Sequence, residues 1–276
     1  MRRAWLAVAP AVVACAVGVA CASVLNIPND TPSWCSVNTG HTYCEDFDLG
    51  DPLSRMSFHA ATGGAQLAIA PSDDSPPNLL DLKTPALGPT GSSLAGYDEE
   101  FDNSQFGALH IEADMRIVTH GNGFKGNIGI MLISDKQGGC IGLAMEPGGI
   151  GAVTVDNPYA CGTLIGSNGM QVMLDAGSTS ADGGDSMVAT RLGDVPPVDQ
   201  WLHIKVDVLP SATGDGSGTF TIDVVGQLAG YAPLPIPPKT LAPTGTPLVG
   251  FSVAGLASTG EAEVQYDNIT VDVKAP

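Results

Sequence analysis

Aromatic residues are scarce in this chain of 276 residues, at 5%, and basic residues are outnumbered, with 11 Lys and Arg against 29 Asp and Glu for a formal net charge of −18. So acidic a surface repels phosphate backbones and anionic lipid, which argues against nucleic-acid binding and against adhesion to membranes by charge. The usual signatures of chemistry are also missing. No Gly-x-Ser-x-Gly elbow occurs, the nearest stretch being Gly250–Ala254 within a strand-like run. The five histidines, at positions 41, 59, 110, 120 and 203, fall at no metal-binding spacing, and there is no Cys-x-x-Cys pair. No glycine run has the strand-to-helix setting of a phosphate loop. Amphipathic helical periodicity is absent beyond the N-terminus, and no later apolar run approaches the ~20 residues of a membrane span.

The one long apolar run lies at the start. Arg2 and Arg3 precede Ala4–Ala20, which only Pro10 and Gly18 interrupt, and small residues lead into Cys21. This is the layout of a secretory signal over residues 1–20. Gly18-Val19-Ala20-Cys21 resembles a bacterial lipobox, whose cysteine is acylated and becomes the new N-terminus, and Cys21–Leu25 resembles the start of mature myxobacterial lipoproteins. The resemblance implies lipid attachment at Cys21 and a place in the cell envelope, at the outer membrane, facing the periplasm or the cell surface. Val12–Cys15 offers an alternative box, and cleavage after Ala22 an alternative route. Removing residues 1–20 takes two arginines and no acid, leaving nine basic against 29 acidic residues.

Apart from Cys15 and Cys21, four cysteines remain, and an even number in an oxidising compartment favours disulfides. Of three possible connectivities, Cys35–Cys44 and Cys140–Cys161 close the shorter loops, each stabilising by ~2–4 kcal/mol through the unfolded chain. Residues 21–43 read as a tether with a small disulfide loop, and 44–276 as one domain. Its pattern has period two. Leu109, Ile111, Ala113, Met115 and Ile117 alternate with His110, Glu112, Asp114 and Arg116, and Leu202–Val208 and Phe220–Val224 behave alike. Further strands are expected at Met56–Ala60, Gln66–Ala70, Ile128–Ile133, Ile141–Met145, Met170–Leu174, Val249–Val253 and Val264–Val273, with long loops at Asp175–Asp199 and the proline-rich Gly226–Pro247. Many strands without intervening helices predict an all-β fold, a two-sheet antiparallel jelly-roll sandwich.

Four short motifs carry a family likeness. Cys44-Glu45-Asp46-Phe47-Asp48, Ser75-Pro76-Pro77-Asn78-Leu79, Trp201–Val206 and Tyr266-Asp267-Asn268-Ile269-Thr270-Val271 together resemble the concanavalin A-like (LamG-like) domains of exported bacterial proteins, over about residues 44–273. The resemblance implies a fold shared by lectins, glucanases and adhesion modules, in which fold alone does not fix function.

Glucanases of this family carry Glu-x-Asp-x-x-Glu on one strand. Glu112-Ala113-Asp114 reproduces the first two acids, while Ile117 stands where the third belongs. Glu112 and Asp114 are therefore candidate catalytic residues set against a plain solvated face, and Glu261 with Glu263 forms a lesser pair. Sugar binding usually calls on exposed rings. The candidates outside strands are Tyr97, Phe101, Phe124, Tyr159 and Tyr231, of which Tyr159, in the loop between Cys140 and Cys161, and Tyr231, in the proline stretch, are the foremost. Asp267 breaks phase in the last strand, so either a bulge lies near Asn268 or its carboxylate points inward. An inward carboxylate needs a cation or several donors. Calcium, held with Asp46 and Asp48, is one arrangement and backbone amides are another. These readings favour a non-catalytic, lipid-anchored envelope protein that binds glycan or a protein partner, with a divergent glycoside hydrolase or lyase and a purely structural module as alternatives.

Overall fold

The computed structural model describes residues 32–73, 77–101, 107–135, 139–147, 149–155, 187–194, 196–225, 233–241 and 246–274. Fifteen strands are numbered in chain order, and every pairing between described strands is antiparallel. The first sheet holds β1 (Tyr43–Glu45), β3 (Gln66–Pro71), β4 (Asn78–Thr84), β6 (Leu109–His120), β11 (Trp201–Pro210), β12 (Gly218–Val224), β13 (Leu234–Ile236) and β15 (Ala262–Val273). Its order is β13-β12-β11-β6-β15-β4-β3, with β1 also on β15. The second sheet holds β2 (Phe58–Thr62), β5 (Ser92–Glu100), β7 (Gly126–Asp135), β8 (Cys140–Glu146), β9 (Gly149–Val155), β10 (Met187–Gly193) and β14 (Pro247–Leu256), in the order β10-β9-β8-β7-β14-β5-β2.

The inward residues of the alternating strands make the core between the sheets. Ile111, Ala113 and Ile117 of β6, Ile204 of β11 and Val264 of β15 join Val249, Phe251 and Val253 of β14 in one buried cluster. An aromatic relay crosses it. Tyr266 meets Phe251 edge-on at 5.3 Å, Phe251 stacks on Tyr97 at 5.5 Å, and Tyr97 meets Phe47 edge-on at 6.3 Å. Each such pair contributes ~0.5–1.5 kcal/mol beyond its buried area.

Several expectations are corrected. Tyr97 is a buried core residue of β5, and Phe101 and Phe124 are buried, so none of the three is a loop ring free to stack on a ligand. The expected loop at 175–199 contains β10, and the proline stretch contains β13. β13 tolerates Pro235 because it is an edge strand, where a missing N–H breaks no ladder. Asn78 and Leu79 open β4 where a turn was expected. The expected strand at 170–174 lies outside the described residues.

The segment before the sandwich holds one short element and a disulfide. Trp34–Val37 forms a short helix, α1, whose N-cap Ser33 accepts the Ser36 amide at 3.3 Å. Cys35 is joined to Cys44, with Cα atoms 5.7 Å apart, as loop length predicted. Cys140 is also disulfide-bonded, while Cys161, its expected partner, lies outside the described residues.

Candidate functional site

The Cys-Glu-Asp-Phe-Asp motif folds into a clasp whose carboxylates are spent on structure. Arg55 grips Glu45, with Nη2 2.9 Å from both oxygens, and Glu45 also accepts the Phe47 amide at 2.8 Å. Asp46 accepts the Cys35 amide at 2.7 Å and the Asp48 amide at 3.3 Å, and Asp48 accepts the Asn78 amide at 3.0 Å. Phe47 sits at φ 59°, a left-handed conformation costly for a non-glycine residue. The local amide bonds and its burial in the core hold it there.

Asp267 lies at the other feature singled out from sequence. The register of β15 on β6 shifts between Asp267 and Thr270, and Asn268 has φ +49°, so the bulge exists. Asp267 pairs across from Asp114 and keeps the phase of outward Gln265, so the pattern break is the bulge and not an inward turn. It is nonetheless 3% exposed, and its Oδ1 accepts the Asn268 amide at 2.8 Å. The structure does not gather Asp46, Asp48 and Asp267 into one group, and among the described residues no set of three His, Cys, Asp or Glu could hold a metal ion.

Glu112 and Asp114 share the outer face of the first sheet, as alternation predicted. Strand β11 supplies a complementary residue opposite each: Asp207 faces His110, Lys205 faces Glu112 and His203 faces Asp114. Lys205 Nζ lies 2.7 Å from Glu112, which also meets His110 Nε2 at 3.0 Å and His203 Nε2 at 3.2 Å. His203 Nδ1 is 2.8 Å from Asp114, whose other oxygen accepts from Asn268 Nδ2 at 2.8 Å. Further along, Arg116 lies over the Trp201 ring at 5.0 Å and donates to Gln265, while Lys83 spans Asp81 and Glu263. Burial pushes the Glu112 carboxyl up, but hydrogen bonds from Lys205 and His110 outweigh it and hold the group below its usual range. Burial pulls His110 down, yet its bonds to Asp207 and Glu112 leave it raised. Lys205 is raised chiefly by its bond to Glu112. The lesser pair is not one site either, since Glu261 is exposed before the strand begins and Glu263 pairs with Lys83.

The outer face of the second sheet is built differently. Tyr97, Phe251 and Val249 point into the core, so Gly96, Asp98, Gly250 and Ser252 point out. Asp98 is flanked by Phe58 on β2 and Gly250 on β14. Burial alone drives its carboxyl up to about 6, and none of the described residues hydrogen-bonds or ion-pairs with it. A side chain at Gly250 would collide with Asp98 Oδ1, and one at Gly96 would come within 2.5 Å of Ser252 Cβ. Each glycine therefore makes room for a neighbouring side chain, Gly250 for the Asp98 carboxylate and Gly96 for Ser252. Phe58 is 55% exposed. The local sequence offered no sign of this site, because Asp98-Glu99-Glu100 reads as surface charge and its neighbours arrive from distant strands. Tyr159 and Tyr231, the rings proposed from sequence, lie outside the described residues.

No protein-family model matches the chain, and no curated protein matches its sequence. Solved structures do match. An endo-β-1,4-glucuronan lyase from the fungus Trichoderma reesei superposes with a TM-score of 0.52 at 12% identity, covering 85% of this chain and 96% of the lyase. A marine alginate lyase from Aplysia kurodai gives 0.51 at 13% identity, covering 86% of this chain and 100% of its own. At such identities the likeness is one of architecture: the chain has the two-sheet antiparallel jelly-roll sandwich that the concanavalin A-like resemblance implied.

Proposed function

We propose that the protein is exported, anchored in the envelope by lipid at Cys21, and binds glycan through its sandwich without chemical turnover. The observation that carries the non-catalytic reading is the ion-paired state of Glu112 and Asp114. A glycoside hydrolase needs one carboxyl kept protonated near neutral pH beside an ionised one. Here both acids are bonded to cationic or donor groups, and Glu112 is held below the usual carboxylate range. The glycan reading is supported by the fold, since two sandwiches of the same architecture are named for the glucuronan and alginate they act on. Anchoring is supported by the positive start, the apolar run and the small residues before Cys21.

A glycan array probed with the exported protein, followed by incubation of bound polymers with it, tests this reading. Binding without new reducing ends or unsaturated products is the expected result. Release of either product would establish the hydrolase or lyase alternative, and an array with no binding would favour a protein partner or a structural role. In a bacterial host labelled with palmitate, the protein should take up label, and Cys21→Ser should abolish it; persistent labelling of that variant would move the anchor to Cys15.

A further inference from the structure

We propose that the outer face of the second sheet, where β2, β5 and β14 adjoin, binds an uncharged glycan, with Phe58 stacking on a sugar ring and Asp98 bonding its hydroxyls. This rests on the glycan-binding reading and adds the site and the ligand's charge class.

The argument starts with what Asp98 lacks. A carboxylate taken largely out of water costs stability unless a cation or donors compensate it. Glu112 and Asp114 on the first sheet's outer face, and Glu45, Asp46 and Asp48 in the clasp, each have compensating partners, yet among the described residues Asp98 has none. A sugar supplies what is missing, because vicinal hydroxyls donate to a carboxylate in charge-assisted hydrogen bonds.

The surroundings match the rest of a pyranose. Phe58 lies directly across from Asp98 on the edge strand and keeps more than half its surface in water. An exposed ring beside a hydrogen-bonding acid is the pairing a sugar needs, one partner for its C–H face and one for its hydroxyl rim. Gly250 leaves room for the Asp98 carboxylate to lie over it, and Gly96 leaves room for Ser252, so neither position sets a bulky side chain beside the acid.

Charge selects among glycans. The described outward residues of β2, β5 and β14 include Asp98 and Glu100 and no Lys or Arg. The whole chain adds a net −18. A polyuronate would bring like charge to an uncompensated acid with no cation to receive it, whereas a neutral chain brings only donors and acceptors.

Affinity electrophoresis of the exported protein, in native gels cast with soluble β-glucan, xylan or alginate, tests the proposal. At least one neutral polymer should retard the protein and alginate should not. Phe58→Ala and Asp98→Asn should each weaken retardation about tenfold or more, the loss of one charge-assisted bond or one stacking contact. Phe58 is exposed and Asn is isosteric with Asp, so neither variant should melt below the parent. Retardation unchanged in both variants would overturn the site, and retardation by alginate instead of a neutral polymer would overturn the charge class, while glycan binding itself would survive. Retardation by none of the polymers, together with an empty glycan array, would overturn the glycan reading as well.

Discussion

Glu112 and Asp98 are both strand carboxylates on the outer face of a sheet, and the two sheets treat them oppositely. On the first sheet, β11 sets a complementary partner opposite each charged residue of β6 from His110 to Asp114, and Glu112 alone meets Lys205, His110 and His203. On the second sheet, the residues opposite Asp98 are a glycine and a phenylalanine. Paired charge on a solvated face contributes little stability and leaves little reactivity, whereas an unpaired, desolvated acid is destabilising until something binds it. Glu112 and Asp114 are therefore satisfied by their own sheet, whereas Asp98 has no such partner among the described residues.

The largest test of this contrast is to turn a paired acid into an unpaired one. Arg55→Met strips Glu45, 3% exposed, of its guanidinium. Urea unfolding should show a loss of roughly 2–3 kcal/mol, below the figure for a fully buried pair because Arg55 is itself half in water. A variant as stable as the parent would mean that the clasp amides alone satisfy Glu45.

The second test removes the unpaired charge. Burial raises the Asp98 carboxyl to about 6 from its ordinary 3.8. The folded state then binds the extra proton between those values, and stability attributable to this group falls as pH rises from about 4 through 6. Asp98→Asn should therefore be more stable than the parent at pH 7, by on the order of 1–2 kcal/mol, with the gap closing towards pH 4. Denaturation across that range checks it, and a variant less stable at pH 7 would reveal a partner for Asp98.

The smallest effects belong to the first face. Glu112→Gln should cost less than about 1 kcal/mol, as partly exposed pairs do. Its loss should appear mainly above the carboxylate range and below the imidazole range. The lowered Glu112 contributes only when ionised, and the raised His110 contributes only when protonated. By NMR titration, His110 in this variant should fall back towards its ordinary value. No change would show that Asp207 alone holds it.

The two faces also differ in how well sequence discloses them. β6, β11 and β12 alternate core and water, so their boundaries, their facing residues and the Glu112–Asp114 pair could be read off the chain. β4 and β8 bury both faces and show no such alternation, and they were legible only in part: Ile141–Met145 was expected, β4 was not. β5 interleaves glycine with core residues, so it shows no alternation that would mark it as a strand. Asp98 was illegible for a further reason. Its isolation is a property of Gly250 and Phe58, which register brings alongside from strands far away in sequence. The bulge at Asn268 lay between these cases, since the phase break located it but left the direction of Asp267 open.

Chemical-shift mapping of the exported protein with an oligosaccharide of the neutral polymer that retards it tests the contrast most directly. The account predicts that the Phe58 ring resonances move on titration while the His110 and His203 imidazoles stay in place. Shifts at the two histidines with Phe58 unmoved would place the ligand on the first sheet and contradict it.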